Sequence, residues 1–283
     1  MPLSIIEAAA GNGDVAVSKA GQVKRLPVYL ALSIAAGAFV GVAVVLLFSV
    51  SAPLVAVSSP WAKLVQGSVF GVALTLVVFA GAELFTGNVM VMLQGLLART
   101  VRAGDLAWVW VVSLVGNVVG SIALAAMVSG GGTLAAGPAA ALVKSVVTAK
   151  DSATGPQLFW RAVLCNMLVC LALWMAARAN TDGAKLAVLW WALLAFIGSG
   201  FEHSIANVTV FALGVFQGVA DWSMLVRNLL WTVPGNVVGG GVLVGLLYGW
   251  AARPAPVRPA VSAATTLEVM TASDIVAEPV PAG

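Results

Sequence analysis

Side chains that can exchange protons or bind a polar solute lie in two short segments within otherwise apolar stretches of the chain. One segment holds His203, the single histidine of the sequence, directly after Glu202. The other holds Glu83 and Thr86, a carboxylate and a hydroxyl. Imidazole, carboxylate and hydroxyl groups can transfer protons or hydrogen-bond to a small polar solute. Ionisable groups are costly inside a membrane, so both segments are candidates for a functional site.

The two segments are copies of one pattern. GAELFTGNV begins at Gly81, and GFEHSIANV begins 119 positions later at Gly200. GNVVG at 116–120 recurs as GNVVG at 235–239, at the same spacing. Paired interruptions at corresponding places in two halves indicate a transport site near the middle of the bilayer. The repeat therefore predicts two breaks that meet at mid-depth, with Glu83 and Glu202 facing each other.

The elements that must position these residues are membrane spans. Hydrophobic residues make up 61% of the chain and charged residues 9%, against about 25% charged residues in soluble domains. A spanning helix needs about 20 apolar residues, and the second and fifth of six apolar stretches exceed 30 residues, so each is expected to break at its motif. The six stretches are about 28–50, 64–97, 106–128, 157–178, 186–219 and 225–251.

These stretches predict an all-α membrane protein with six transmembrane helices, of which helices two and five are broken. Three spans per repeat is an odd number, so the second copy enters the membrane from the opposite side and the two three-helix repeats are inverted. The repeats cover about 27–128 and 157–251, within a pore domain at 27–252. The connection at 129–156 begins SGGGT and contains Gly137-Pro138, so it is expected to be an irregular, outward-facing loop.

The ends of the chain are expected to lie in the cytoplasm. Nine basic residues fall in the predicted inner segments against five in or near the outer ones, which agrees with the positive-inside rule. Residues 1–26 form a polar leader, expected as a short helix along the inner surface, and 253–283 form a tail whose composition predicts disorder. The basic residues are scattered, which argues against nucleic-acid binding. We expect a multi-pass protein of the plasma (inner) membrane.

The polar residues of the breaks have both a structural and a functional interpretation. Glu83 and Glu202 either relay protons or accept hydrogen bonds from backbone N–H groups or asparagine amides. Asn117 and Asn236 are expected to hydrogen-bond to backbone groups that the breaks leave free, because a lipid-facing amide is costly. One histidine and two separated glutamates are too few ligands for a metal site. Neither a metal nor another cofactor is expected.

Large apolar residues accompany this polar centre. They either form ordinary core or line a path as a dry constriction on each side of His203, which would reject hydrated ions. These residues are Phe70, Leu74, Leu84, Phe85, Val169 and Phe196. Cys165 and Cys170 are expected to be small packing residues.

Three strings of the sequence, GAELFTGNV, LCNMLVCLALW and SGFEHSIANVTVFAL, together resemble the formate/nitrite transporter family. The resemblance covers about residues 24–252. The stretch LWWALLAFIGSGFEHSIANVTVFAL, with RNLLW before the last GN, is most similar to the nitrite-transporting branch. The resemblance implies a homopentamer in which each protomer has an aquaporin-like shape and its own pore.

The resemblance also implies a role for individual residues. His203 matches the central pore histidine, Thr86 the threonine of the first break, and Glu202 the glutamate beside the histidine. Leu74, Leu84 and Phe85 match the inner constriction, with Val169 beside them, and Phe70 and Phe196 match the outer one. Lys150 matches the lysine of the outer vestibule. Asn166 and Asn236 match polar residues near the pore. The breaks themselves add three polar residues that are expected to support the site: Glu83, Asn88 and Asn207.

The implied function is passage of a small monovalent anion, with nitrite first, through a pore centred on His203. Lys150 and the positive ends of half-helices would draw the anion in. Transient protonation of the anion would remove most of the barrier at mid-membrane, with His203 supplying a proton or a hydrogen bond and Thr86 binding the opposite oxygen. Formate, hydrosulfide, acetate and lactate share this chemistry and remain alternatives. Both a channel and a proton-coupled carrier fit these residues.

Two other classes of protein fit less well. A membrane enzyme would use Glu202 and His203 as base and acid, but Ser204 has no second histidine or lysine to activate it as a nucleophile. A channel for water or glycerol would be expected to carry paired Asn-Pro-Ala loops, which the sequence lacks. The chain is therefore expected to transport rather than to catalyse.

Overall fold

The computed structural model describes residues 1–253, and every regular element in that range is a helix. The predicted tail at 253–283 lies, apart from its first residue, outside the described residues. Five helices are long and apolar enough to cross a membrane: Leu26–Ala56, Ala62–Phe79, Ala103–Gly130, Gly155–Arg178 and Trp222–Ala251.

The first repeat begins with one long helix, continues through a broken span and ends with a second long helix. Its broken span consists of α3, α4 and α5, with a bend at Gly71 between α3 and α4 and an irregular stretch before α5. The helices are α2 (Leu26–Ala56), α3 (Ala62–Phe70), α4 (Val72–Phe79), α5 (Phe85–Leu97) and α6 (Ala103–Gly130).

The second repeat follows the same order. Its broken span consists of α9 and α10, and its last span contains a π-helical segment at Val238–Leu246. The helices are α8 (Gly155–Arg178), α9 (Asp182–Gly198), α10 (Ser204–Phe216), α11 (Trp222–Val237) and α12 (Leu247–Ala251). The fifth predicted span is thus divided into helices of 17 and 13 residues, each shorter than the roughly 20 residues of a full span.

A glycine in the left-handed region turns the chain at each break. Gly81 and Gly200 both have φ of 75°, a conformation that costs other L-residues about 1–2 kcal/mol. The helices that follow the two glycines, α5 and α10, have 13 residues each, and their bounds differ by the same 119 positions as the motifs. The prediction that helices two and five are broken at equivalent places is confirmed.

Two further helices lie outside the repeats. Helix α1 (Ile5–Gln22) occupies the predicted leader and begins with a capping box between Ser4 and Glu7. Helix α7 (Gly137–Asp151) lies where an irregular loop was expected. That expectation was wrong, because Pro138 is tolerated in the first turn of a helix and the following residues place Leu142, Val143 and Val147 on one buried face. We call the side of the protein that carries α1 the α1 face and the side that carries α7 the α7 face.

Glycines let the first and last spans of each repeat approach at backbone contact. A Cβ on Gly120 would overlap the carbonyl oxygen of Ile34, and a Cβ on Gly239 would overlap that of Val163. The two glycines are related by 119 positions, but Ile34 and Val163 are related by 129. The stretch from the start of the first span to the break is therefore ten residues longer in the first repeat, mostly because α2 has 31 residues and α8 has 24, and the sequence motifs did not reveal this.

Candidate functional site

The two breaks meet at a threonine and a histidine. Thr86 lies in the first turn of α5, and His203 is the N-cap of α10. Thr86 Oγ1 and His203 Nε2 are 3.1 Å apart and both side chains are buried. The N-termini of α5 and α10 thus converge on one point, where their unpaired N–H groups and dipoles favour an anion.

The hydrogen bonds of His203 assign its tautomer. Nδ1 accepts a hydrogen bond from the N–H of Ala206 at 3.2 Å, so Nδ1 carries no proton. In a neutral imidazole the proton then lies on Nε2, from which it points to Thr86. The Thr86 hydroxyl can accept that hydrogen bond and still donate its own proton to a solute. The pair therefore offers two donors at the junction of the breaks.

Apolar side chains enclose His203. A cavity of about 10 Å³ lies beside its imidazole, a volume near the minimum for one water molecule. Five of the six predicted constriction residues line it: Phe70, Leu74, Leu84, Val169 and Phe196. Phe70 and Phe196 pack edge to face, with ring centroids 5.5 Å apart.

Phe85, the sixth predicted constriction residue, lies in the buried core rather than among the side chains that line this cavity. Its backbone N–H donates to Asn117 Oδ1 at 2.8 Å. Its role in a constriction stays a prediction.

A vestibule of about 690 Å³ opens on the α1 face. Leu84 lines both this vestibule and the small cavity beside His203, so its side chain lies between the two spaces. The cations Lys19, Arg25 and Lys185 lie in the vestibule wall together with Glu83. The first break is therefore reached from the α1 face.

Glu83 is held by three donors at the end of this vestibule. Its Oε2 accepts hydrogen bonds from Lys19 Nζ at 2.6 Å, Tyr29 Oη at 2.9 Å and Asn88 Nδ2 at 3.1 Å. Sequence reasoning missed Lys19 and Tyr29 as site residues. A usable signal was position, since Lys19 and Lys150 each lie within ten residues before the first apolar stretch of a repeat.

Glu202 has an equivalent arrangement toward the α7 face. Its Oε2 accepts from Lys150 Nζ at 2.6 Å and from Asn207 Nδ2 at 2.7 Å, and Asn207 also donates to Asn228. The two glutamates do not face each other as expected, since each binds a lysine of a different surface helix. A two-fold axis in the membrane plane places equivalent residues at opposite depths unless they lie on the axis. The contact between the two breaks is made instead by Thr86 and His203.

Two asparagines hold the breaks by matching hydrogen bonds. Asn117 accepts from the N–H of Phe85 and donates to the carbonyl oxygens of Ser33 and Glu83. Asn236 accepts from the N–H of Ser204 and donates to the carbonyl oxygens of Ala162 and Glu202. The expectation that these amides bind backbone groups freed by the breaks is confirmed.

The backbone of Thr86 has additional support. Its carbonyl oxygen accepts from Asn166 Nδ2 at 3.2 Å and from Cys170 Sγ at 3.3 Å. Asn166 Nδ2 also donates to the carbonyl oxygen of Asn236, and so connects the first break to the last span. Cys170 was expected only to fill space, and no feature of the sequence indicated this contact.

Inverted repeats, broken helices and a buried polar pair between apolar walls define a membrane transport protein. The description "Formate/nitrite transporter" belongs to a family model that matches residues 6–250. The chain belongs to the formate/nitrite transporter family, as its motifs indicated. This family consists of channels and transporters, so the expectation of transport rather than catalysis is confirmed.

Similar proteins include nitrite transporters. The nitrite transporter NirC of Salmonella typhimurium is 44% identical over 229 residues, which are 80% of this chain and 83% of the relative. NirC of Escherichia coli K12 is 44% identical over 79% of this chain and 83% of its own length. A probable formate transporter of Methanothermobacter thermautotrophicus is 40% identical over 66% of this chain and 74% of its own.

Solved structures share the fold. An FNT family ion channel aligns with a TM-score of 0.81 at 40% identity, covering 88% of this chain and 99% of that one. A pentameric formate channel with formate bound aligns with a TM-score of 0.70 at 29% identity, covering 81% and 97%. The predicted all-α membrane fold of six spans is confirmed.

Proposed function

We propose that the chain passes small monovalent anions, nitrite first, between its α1 and α7 faces through the junction of Thr86 and His203. The observation that carries this proposal is the 3.1 Å contact between these side chains, where two helix N-termini converge beside an apolar cavity near the size of one water molecule. Nitrite is favoured over other anions by the 44% identity to two nitrite transporters.

Each break has one lysine that an entering anion passes on its way to the centre. Lys19 and Lys150 each bind a glutamate at 2.6 Å, so each pair carries little net charge at a distance. An anion that reaches Lys150 shares its ammonium group with Glu202. The lysines therefore act at short range, and the converging dipoles of α5 and α10 extend the favourable potential to the centre.

At the centre, the anion exchanges the Thr86–His203 hydrogen bond for two bonds of its own. His203 Nε2–H and the Thr86 hydroxyl each donate to it. A bare charge at the middle of a bilayer costs at least about 2.5–3.5 kcal/mol, which these donors and the helix N-termini offset in part. Weak acids such as nitrous acid can remove the rest of the cost by crossing in the neutral form.

Proton transfer from His203 itself has a structural condition. A neutral imidazole that gives up its Nε2 proton would become an anion, so Nδ1 must gain a proton first. Nδ1 would then lose the hydrogen bond that it accepts from Ala206 N–H. Hydrogen bonding by Nε2–H is the simpler role, and proton coupling requires an accompanying change at the start of α10.

Nitrite flux into proteoliposomes tests this role with His203→Asn. Asparagine is among the best N-cap residues, so it keeps the cap of α10 while it removes the imidazole. Loss of a hydrogen bond to a charged group costs about 1.5–3 kcal/mol, so we expect flux to fall about 10- to 100-fold. Undiminished, pH-insensitive flux through folded protein would contradict the proposal.

Thr86→Val tests the opposite donor in the same assay. Valine keeps the shape of threonine without the hydroxyl, and nitrite flux is expected to fall. Thr209→Val is the matched control, because Thr209 is also buried but its hydroxyl binds no group among the described residues. Equal effects of the two changes on nitrite flux would contradict a specific role for the Thr86 hydroxyl.

Formate is the second candidate substrate. A probable formate transporter is 40% identical to this chain, and the formate-bound channel shares its fold. Formate and nitrite are both bent anions with two oxygens. A competition assay with nitrite, formate, lactate and hydrosulfide ranks these anions. If formate inhibits nitrite flux more strongly than nitrite inhibits formate flux, formate rather than nitrite is the preferred substrate.

The proposal extends to assembly and orientation. We infer a homopentamer in the plasma (inner) membrane, with the α1 face in the cytoplasm. Support comes from the pentameric formate channel that shares the fold and from the excess of basic residues in the predicted inner segments. Each protomer then carries a complete path of its own.

A further inference from the structure

The inverted repeats allow each residue on the α1 face to be matched with its equivalent on the α7 face. The N–H of Glu83 donates to the carbonyl oxygen of Leu32, and the N–H of Glu202 donates to that of Arg161, both at 3.2 Å. The next residues in each first span, Ser33 and Ala162, accept from the two equivalent asparagines. Leu32 and Arg161 therefore occupy equivalent positions, one in each repeat.

This equivalence gives Arg161 a counterpart in the first repeat. Leu32 lines the vestibule on the α1 face beside Glu83. The backbone of Arg161 contacts that of Glu202, whose side chain binds Lys150, so Arg161 occupies on the α7 face the position that Leu32 has on the α1 face. Arg161 is exposed.

The charge of Arg161 is available to a ligand. Within residues 1–253 its guanidinium forms neither an ion pair nor a hydrogen bond, whereas Lys150 is paired with Glu202 at 2.6 Å. Arg227, another arginine of this face, donates to the carbonyl oxygens of Asp151 and Ala153. An anion that approaches the α7 face thus meets a free guanidinium before it competes for Lys150.

We propose that Arg161 is the docking and selectivity residue of the α7-face mouth for anions with two terminal oxygens, a role that rests on the proposed function. The planar guanidinium presents parallel N–H groups that match two oxygens on one centre. Nitrite and carboxylates have this geometry. Hydrosulfide has a single acceptor centre and gains only the charge. Arg161 therefore favours nitrite and formate over hydrosulfide, and the α1-face mouth has a leucine at the equivalent position.

Two substitutions separate charge from geometry. Arg161→Leu introduces the residue of the equivalent position, and Arg161→Lys keeps the charge without the planar fork. The measurement is initial flux into proteoliposomes across a range of nitrite, formate and hydrosulfide concentrations. Thermal unfolding and size-exclusion elution of each variant check the fold, which should be unchanged because the side chain binds no group of residues 1–253.

We expect Arg161→Leu to raise the half-saturating nitrite and formate concentrations about fivefold, the upper range for an exposed charged contact. Arg161→Lys should recover less than half of this effect for nitrite and formate. For hydrosulfide, Arg161→Lys should match the wild type. Lys63→Leu, which removes an exposed cation near the start of α3, is the control and should leave all three values within about twofold.

The outcomes distinguish this inference from the proposed function. Wild-type protein that passes neither nitrite nor formate contradicts the proposed function. Wild-type flux with unchanged half-saturation in Arg161→Leu overturns the docking role. A shift of equal size for hydrosulfide and nitrite, with full recovery by Arg161→Lys, overturns selectivity for two oxygens.

Discussion

Asn117 and Asn236 are buried amides that replace backbone partners at the two breaks. Each accepts one N–H and donates to two carbonyl oxygens, so one side chain holds the start of a half-helix, the preceding loop and the first span. An unpaired buried polar group costs about 1–3 kcal/mol. These asparagines therefore stabilise the geometry in which Thr86 and His203 meet.

Asn236→Leu should leave two backbone groups without this partner, the N–H of Ser204 and the carbonyl oxygen of Glu202, while the Ala162 carbonyl keeps its place in the hydrogen-bond ladder of α8. We expect a loss of about twice the about 1–3 kcal/mol of one unpaired group, seen as a large drop in the thermal unfolding temperature in detergent. Asn117→Leu should cost a similar amount, because its hydrogen bonds match. Asn180→Leu, at an exposed position, is the control, and a similarly large loss there would contradict this account.

The two lysine–glutamate pairs also act at the residue scale. Each glutamate has little exposure, 8% and 5% of its side chain, and each accepts an asparagine amide as well as the lysine. Breaking such a pair leaves an uncompensated charge, which costs more than the pair contributes. The structural interpretation of Glu83 and Glu202 is thus supported, and their proton-relay role stays a prediction.

At the scale of helices, glycines set the distance between spans. Gly239 lies in the π-helical segment against the backbone of Val163 in α8. Close backbone approach through small residues is a common basis of helix packing in membranes. The same contact between Gly120 and Ile34 in the first repeat shows that both halves use it.

Gly239→Ala should force α8 and the last span apart. Overpacking of a tight contact costs about 1–3 kcal/mol, and here the obstacle is a backbone carbonyl rather than a flexible side chain. We expect lower thermal stability together with reduced nitrite flux, because Asn236 and Asn166 depend on this packing. Gly183→Ala is the matched control: its Cβ would meet no atom within 4 Å, so stability should change by less than about 1 kcal/mol.

At the scale of the whole molecule, the inverted repeats place α1 and α7 before corresponding first spans. Inversion implies that the two helices lie on opposite sides of the membrane. Ser18 of α1 and Ser145 of α7 are exposed, and both native cysteines are fully buried. The native cysteines should therefore react little with a thiol reagent, so labelling reports on an introduced cysteine.

Ser18→Cys and Ser145→Cys should label from different sides. In intact cells, a membrane-impermeant maleimide is expected to modify Ser145→Cys and to leave Ser18→Cys unmodified until the membrane is opened. Wild-type protein serves as the control for Cys165 and Cys170. Labelling of both variants from outside would refute the inverted arrangement, and the reverse pattern would refute the cytoplasmic position of α1.

Particular residues show how far the sequence leads. The 119-position repeat predicted both breaks, and α5 and α10 begin and end at positions with that spacing. The motifs also indicated His203 and Thr86, which the structure brings together across 117 positions. The repeat could be recognised because its two copies share residues around the breaks. There the left-handed conformation of the glycines and the hydrogen bonds of the asparagines restrict the residue types.

Hydropathy, the internal repeat and the motifs thus determined the class of fold, the family and the centre of the site. Only the tertiary structure decided that Lys19 and Tyr29 bind Glu83, that Cys170 supports Thr86, that residues 137–151 form a helix, and that the first spans are related by 129 positions. Local composition controls whether a segment enters the membrane and where its helix ends. Contacts between distant segments depend on how the helices pack, and no short stretch of sequence encodes that packing.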